Sequence, residues 1–307
     1  MRTRVLKQLA EAAGFLACGV TSLDPLPHGD VLDSWLAKGY AGTMRYLHRQ
    51  AKKRKDPALI KSGAKSVVVV LENYCPPARP AVRPSARIAK YAAGEDYHHA
   101  FLARLNQLGG VLLEHGATLA HSFADSGPVP ERELAQRAGL GWIGKNTMLI
   151  RPGAGSFFFI GTIFTDLELE PDPPFMLDRC GSCTRCIDAC PTGAFVTERV
   201  LDATKCLSFL TIEWKSAFPA DQAAQADGWA FGCDICNDVC PWNERFATPT
   251  TRPEYAPREA PDCTDPDYFE SMDEADFQLL FADTPLERPG LARMRRNWKI
   301  AFRASSS

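Results

Sequence analysis

The chain has 307 residues, 45% of them hydrophobic and 23% charged, and a formal net charge of −2. These values exclude wholesale disorder and any global pull toward nucleic acid, so a contact of that kind needs a local patch. The longest apolar runs, residues 67–71 and 157–164, are far too short to span a bilayer as a helix, and no membrane association is expected.

In chain order, residues 4–17 set Val5, Leu6, Leu9, Ala13 and Leu16 at helical spacing. This opening lacks the apolar core of an export signal, so a cytoplasmic protein is expected. A basic run follows Tyr46, with Arg49, Lys52, Lys53, Arg54 and Lys55 closed by Asp56-Pro57; it reads as a solvated helix face. Residues 65–71 are short and β-branched, which predicts a buried strand. Pro76, Pro77, Pro80 and Pro84 mark a loop. Phe101, Leu105, Leu108 and Leu112 share one side of a predicted helix over 101–115. Asp125-Ser-Gly-Pro predicts a turn, then a helix to about Gly139. The glycine-rich residues 139–146 suit either a helix C-cap and turn or a close backbone approach to a ligand. Residues 156–165 predict a second apolar strand. Helices mixed with a few strands define an α+β domain over residues 1–170.

Pro171, Pro173 and Pro174 lead into a second unit, residues 171–250. Here Cys180, Cys183, Cys186 and Cys190-Pro191 have the spacing of the bacterial ferredoxin run, whose thiolates hold 4Fe–4S cubes. Cys233, Cys236 and Cys240-Pro241 form a second run one ligand short, and Cys206 supplies it. Eight thiolates suffice for two cubes. By the ferredoxin crossing rule one cube takes Cys180, Cys183, Cys186 and Cys240, and the other takes Cys190, Cys206, Cys233 and Cys236. Zinc is the rival for paired C-x-x-C; it leaves one ligand too many in the first run and does not account for the Cys-Pro endings. Of the 11 cysteines, Cys18, Cys75 and Cys263 are scattered and read as ordinary residues. Residues 251–307 form an acidic, proline-rich linker and a short basic helix.

Two cubes in series imply one-electron transfer, and the long preceding region implies that they feed a reaction centre there. No G-x-G-x-x-G supports a dinucleotide site. Asp96-Tyr97-His98 begins like the D-x-H-x-x-G run of cobalt-ligating cobalamin proteins, but Phe101 stands at the glycine position.

Several segments together resemble the epoxyqueuosine reductase family. They are Asp56-Pro57, Gly94-Glu-Asp96-Tyr97-His98, Asp125-Ser-Gly-Pro, the stretch from Glu131-Arg132 through Gly141-Trp-Ile-Gly-Lys145-Asn146, both cysteine runs, Lys205-Cys206-Leu-Ser208 and Phe231-Gly232-Cys233-Asp234. The resemblance implies a cobalamin-dependent oxidoreductase related to reductive dehalogenases, with a nitroreductase-like first domain and a ferredoxin-like second one. It implies reduction of the epoxide of epoxyqueuosine at the tRNA wobble position, giving queuosine. Asp125 matches the proton donor; its alternative role is an Asx-type turn. Positions around cobalamin map onto Arg54, Tyr97, His98, Asp125, Asn146, Leu149, Ile160, Ser208 and Asp234. Leu149 and Ile160 equally suit plain core, and Ser208 a helix cap. Lys215 matches a substrate contact or is a solvated lysine. Many members continue into HEAT-like repeats; here only Arg295-Arg296-Asn297 resembles their start, a candidate phosphate contact in a basic helix.

Two other readings compete. A cobalamin and iron–sulfur reductase of a small molecule, of the reductive dehalogenase kind, is expected to carry an export signal. A non-catalytic electron carrier is expected to bind no cobalamin. The family reading also implies a monomer served by an external ferredoxin- or flavodoxin-type donor.

Overall fold

The computed structural model describes residues 1–77, 86–258 and 266–305; Pro80, Pro84 and Cys263 lie outside them. Its centre is an antiparallel sheet of four strands, β1 (Ala17–Thr21), β2 (Ser66–Asn73), β3 (Ala120–Phe123) and β4 (Phe158–Thr165), in the order β1-β2-β4-β3. The long strands β2 and β4 are central and covered on both faces. Val68 and Val70 meet the core under the Tyr97–Glu114 helix. Val67, Val69 and Leu71 meet the core under the Glu131–Arg137 helix. A strand buried on both sides needs apolar residues at every position rather than at alternate ones, which is why these two were legible as unbroken runs. The edge strands β1 and β3 are short and compositionally mixed, and sequence periodicity passed over both.

The first helix, Thr3–Ala12, stops short of the predicted end. Leu16 leaves its register, and its N–H donates to Leu71 O at 2.8 Å on the way into β1. The Tyr97–Glu114 helix begins four residues before the predicted start, because Asp96 caps it by accepting from His98 N–H at 2.9 Å. Its buried stripe is Phe101, Leu105, Leu108 and Leu112.

The cysteine region is not appended to this domain but threaded through it. The strand Trp229–Phe231 pairs in parallel with Arg87–Ile88. Phe231 and Ala92 share a core with Met294, Trp298 and Ala301 of the Leu291–Ser305 helix. The chain then returns to the first domain. Tyr255 is 3% exposed within the core of the large sheet. Glu95 N–H donates to Glu254 O at 2.8 Å, and Arg258 N–H to Ala93 O at 2.9 Å. Gly94 has no room for a Cβ, which would strike Glu254 O.

This return is clamped by a buried ionic cluster. Arg104 donates from Nε to Glu72 Oε2 at 2.8 Å and from Nη2 to Glu72 Oε1, and it also reaches Glu254 and the Tyr255 hydroxyl. No helix among the described residues is long and apolar enough to cross a membrane.

Candidate active site and cluster sites

Asp125 stands on the turn after β3 with φ of 53°, in the left-handed region that aspartate tolerates better than most residues. The turn is held by neighbours. Asp125 N–H donates to Glu131 Oε1 at 2.8 Å. Arg54 donates from Nη2 to Gly127 O at 3.2 Å and from Nη1 to Val129 O at 3.3 Å. The carboxylate itself is 61% exposed, so it faces open space rather than serving as an internal cap. Tyr97 Oη donates to Asp125 Oδ2 at 2.8 Å. His98 Nε2 lies 4.0 Å from the same oxygen, while its Nδ1 is 2.7 Å from Asp96 Oδ1.

Aromatic packing fixes Tyr97. Its ring stacks on Phe159 at 4.2 Å and 11°, and on His98 at 4.2 Å. Phe159 in turn meets Tyr255 edge-on at 5.2 Å. Burial, and then the Asp125 charge, push the Tyr97 hydroxyl well above its ordinary range, so it remains a donor. Burial and the Asp125 carboxylate likewise push Glu131 up to about 8, so Glu131 holds a proton at neutral pH. Burial raises Asp96, but hydrogen bonds from the His98 ring and backbone outweigh it and leave the carboxyl below its ordinary value.

Not every mapped position faces this space. Asn146 is 3% exposed and turned inward, donating to Cys236 O at 3.2 Å and Asn237 Oδ1 at 3.3 Å. Leu149 lies in the second core with Ile160 packed against it. Asp234 is 3% exposed and accepts from Lys90 N–H at 2.6 Å; burial pushes it up to about 6. Ser208 follows Cys206 in the first turn of the Leu207–Ile212 helix, which has no side-chain cap. Lys215 is exposed. Arg296 donates to Trp214 O and Leu210 O at 2.9 Å, and Arg295 to Met272 O; both guanidiniums are engaged by backbone carbonyls.

Four of the thiols meet at one cavity. Cys180, Cys183, Cys186 and Cys240 line one cavity of about 170 Å³ together with Lys145, Asn146 and Trp242. Cys206 feels Cys190, Cys233 feels Cys206 and Cys190, and Cys236 feels Cys233 and Cys206 and, less, Cys186 of the first set. Burial, then neighbouring thiols, push Cys186 up to about 11 and raise Cys233 and Cys236 as well. Ionising so many crowded sulfurs requires a compensating cation at their centre, so the donor set fits iron–sulfur cubes. No three His, Cys, Asp or Glu side chains among the described residues close on one point as single-ion ligands would; four thiols stand around a volume instead. Trp142 Nε1 donates to Cys180 Sγ at 3.4 Å and Ala194 N–H to Cys190 Sγ at 3.4 Å, contacts of the kind that set a cluster's potential.

The glycine-rich stretch begins as the helix end that one of its readings expects. Gly139, at φ 75°, ends the Glu131–Arg137 helix. The following Trp142–Ile143/Leu149–Ile150 hairpin carries Lys145 and Asn146 to the first thiol cavity. A corrin ring requires polar partners at its rim, and Arg54 Nε is buried with no partner. Together with the open Asp125 face, this fits a cobalamin group beside the carboxylate. Glu131 and Trp142 stand in segments that carry the resemblance but were given no site role, and Lys90 was not named; the six-residue spacing of Asp125 and Glu131 was the available signal for the first.

A carboxylate on an open face, in one chain with two thiol sets suited to 4Fe–4S cubes, fits an iron–sulfur reductase with its own reaction centre. Residues 179–243 match the model of a 4Fe–4S double cluster binding domain. Residues 54–126 match that of epoxyqueuosine reductase QueG, DUF1730. The epoxyqueuosine reductase of Cyclobacterium marinum is 41% identical over 298 residues, covering 96% of this chain and 95% of that one. The chain belongs to the epoxyqueuosine reductase family. Among solved structures it is similar to an epoxyqueuosine reductase with a tRNA-Tyr epoxyqueuosine-modified stem loop, at TM-score 0.86 and 28% identity over 99% of this chain and 82% of the other. It matches equally well the Bacillus subtilis enzyme described with an aspartate catalytic loop swung out of its active site, at TM-score 0.86 and 28% identity with the same coverage.

Proposed function

We propose that this chain removes the epoxide oxygen of epoxyqueuosine at the wobble position of tRNA and leaves the cyclopentene of queuosine. The observation that carries this reading is the Tyr97–Asp125 hydrogen bond on an open face. Deoxygenation of an epoxide to an alkene takes two electrons and two protons and releases water. When bound, the two cubes would relay electrons singly and cobalamin would deliver them to the carbon–oxygen bond.

The chain's own residues manage the proton and the geometry. Asp125 gives a proton to the departing oxygen. Tyr97 fixes the orientation of the carboxyl group through Oδ2, and Glu131 and Arg54 hold the turn that presents it. Arg54, Tyr97, His98 and Ser208 would hold cobalamin, while Asn146, Leu149, Ile160 and Asp234, whose side chains are packed or bonded within the protein, would support the residues around it. Cys190, Cys206, Cys233 and Cys236 would hold the cube nearer Asp125, since Asp234 accepts from Lys90 N–H and Tyr91 meets Tyr97 edge-on at 6.0 Å. An external one-electron donor would then engage the other cube. We assign residues 1–170 to catalysis, 171–250 to electron relay and 251–307 to support, acting as a monomer.

The test is anaerobic incubation with cobalamin, a strong reductant and epoxyqueuosine-containing tRNA, followed by nucleoside mass analysis; unchanged epoxide overturns the assignment. Asp125→Asn should retain both clusters and bound cobalamin while losing most turnover, and near-normal turnover removes Asp125 from the proton step.

A further inference from the structure

The basic run that reads as a mere solvated face in the sequence occupies a particular place in the fold. It forms two short helices, Arg45–Arg49 and Ala51–Lys55. Arg54, within the second, grips the Asp125 turn through Gly127 O and Val129 O. The outward residues of this segment are therefore tied directly to the mouth of the site. Tyr46, half-buried between them and the mouth, lies within electrostatic reach of Glu213, Arg288, Asp125 and Arg54. Met44 packs against the core that contains Leu207 and Leu210 and is flanked by Trp214, so the run bridges the Asp125 turn and the segment bearing the exposed Lys215.

The charge here is uncompensated. Lys55 pairs with Asp33. Arg45, Arg49, Lys52 and Lys53 are exposed and, among the described residues, form no ion pair. Residues 41–55 contain no Asp or Glu at all, although the chain as a whole carries 37 acidic against 35 basic residues. A net-acidic chain that gathers four free cations at one lip of its site has built a local anion-attracting surface there.

We propose that Arg45, Arg49, Lys52 and Lys53 form the surface that holds the RNA phosphate backbone flanking the modified base, while the base enters beside Asp125. This rests on the tRNA reading above and adds to it the location of the grip. Arg295 and Arg296 are bound to carbonyls, whereas the cations of the exposed run form no ion pair among the described residues. The contact positions the substrate without reading sequence, because it addresses phosphates rather than base edges.

The probe is an unmodified anticodon stem-loop RNA, with affinity for the full chain measured by fluorescence anisotropy at several salt concentrations. The wild-type chain should bind with a steep dependence of log affinity on log salt. The triple variant Arg49→Ala/Lys52→Ala/Lys53→Ala should bind roughly tenfold or more weakly at low salt. Its slope should be shallower by about two to three, from the loss of about 0.7–0.9 per phosphate contact. The charge-conserving variant Arg49→Lys/Lys52→Arg/Lys53→Arg should keep both affinity and slope. With epoxyqueuosine-bearing stem-loop as substrate, the alanine variant should raise KM and leave kcat unchanged.

An alanine variant with wild-type affinity and slope overturns the proposal, and so does loss of binding in the charge-conserving variant. A wild-type chain that binds and converts the modified stem-loop while the alanine variant binds equally well removes only this surface. A wild-type chain that binds no RNA removes the tRNA reading along with it.

Discussion

Tyr97 Oη and Asp125 Oδ2 are joined at 2.8 Å across the gap between the start of one helix and the turn after an edge strand. The hydrogen bond ties an exposed carboxylate to a ring that is 7% exposed and stacked on Phe159. The exposed partner is thereby oriented by the buried one.

Tyr97→Phe keeps the stack and removes only the donor. It should lower kcat about 10- to 100-fold with KM little changed, since the lost interaction orients a proton donor that contributes about 10²–10⁴-fold. Cluster absorbance and thermal stability should stay near wild type. A KM effect without a kcat effect would place Tyr97 in substrate binding instead.

Glu131 supplies a pH prediction. Its folded-state pKa is raised from 4.5 to about 8. Between those values the folded chain holds a proton that the unfolded chain releases, so stability falls as pH rises through the window. Denaturant midpoints measured at about pH 6 and about pH 8.5 should therefore decline for the wild type. Glu131→Gln should decline less, because its amide oxygen still accepts from Asp125 N–H without gaining charge. An identical decline in both would show that another group governs the slope.

The division of the thiols can be read by low-temperature EPR of the reduced protein. Cys240→Ser and Cys183→Ser should perturb the same cube signal, because both residues line one cavity. Cys233→Ser should perturb the other. If Cys240 and Cys233 share a signal, ligation follows chain order rather than the crossing.

The Glu72–Arg104 pair is sealed, with side chains 1% and 15% exposed. Arg104→Met should destabilise by about 3–5 kcal/mol, because it leaves the Glu72 carboxylate buried without its partner. Adding Glu72→Leu should restore much of that loss, and denaturant titration of the single and double variants checks both. A double variant no more stable than the single would mean that the pair does more than neutralise itself.

The parts of this molecule that sequence revealed are those in which a local rule has a single solution. Cysteine spacing permits few ligand sets, and the double cubes follow from it. Strands β2 and β4 carry unbroken or nearly unbroken apolar runs, Val67 to Leu71 and Phe158 to Phe164, because both faces are covered. Strands β1 and β3 were missed because a short edge strand needs little apolar pattern. The active site was harder to see. Asp125, Tyr97 and Arg54 are distant in sequence and meet only through packing, so the resemblance, rather than periodicity, indicated them. Asn146 and Asp234 likewise came from the resemblance alone, because the groups they engage, Cys236 O and Lys90 N–H, are brought to them only by packing.

The return of the chain at Glu254 and Tyr255 also has a bearing on biogenesis. The sheet is complete in sequence by Thr165, yet Tyr255, which wedges against Phe159 and bonds to the Glu72 carboxylate, leaves the ribosome some ninety residues later. A nascent chain must therefore wait with Phe159 and the footing of Tyr97 uncovered while all eight ligating cysteines emerge. All eight of these cysteines are thus synthesised before Tyr255, the residue that closes the catalytic core against Phe159 and Glu72. The catalytic core and the cysteine region are therefore completed together during synthesis, because the core's last wedge is made only after the whole cysteine region.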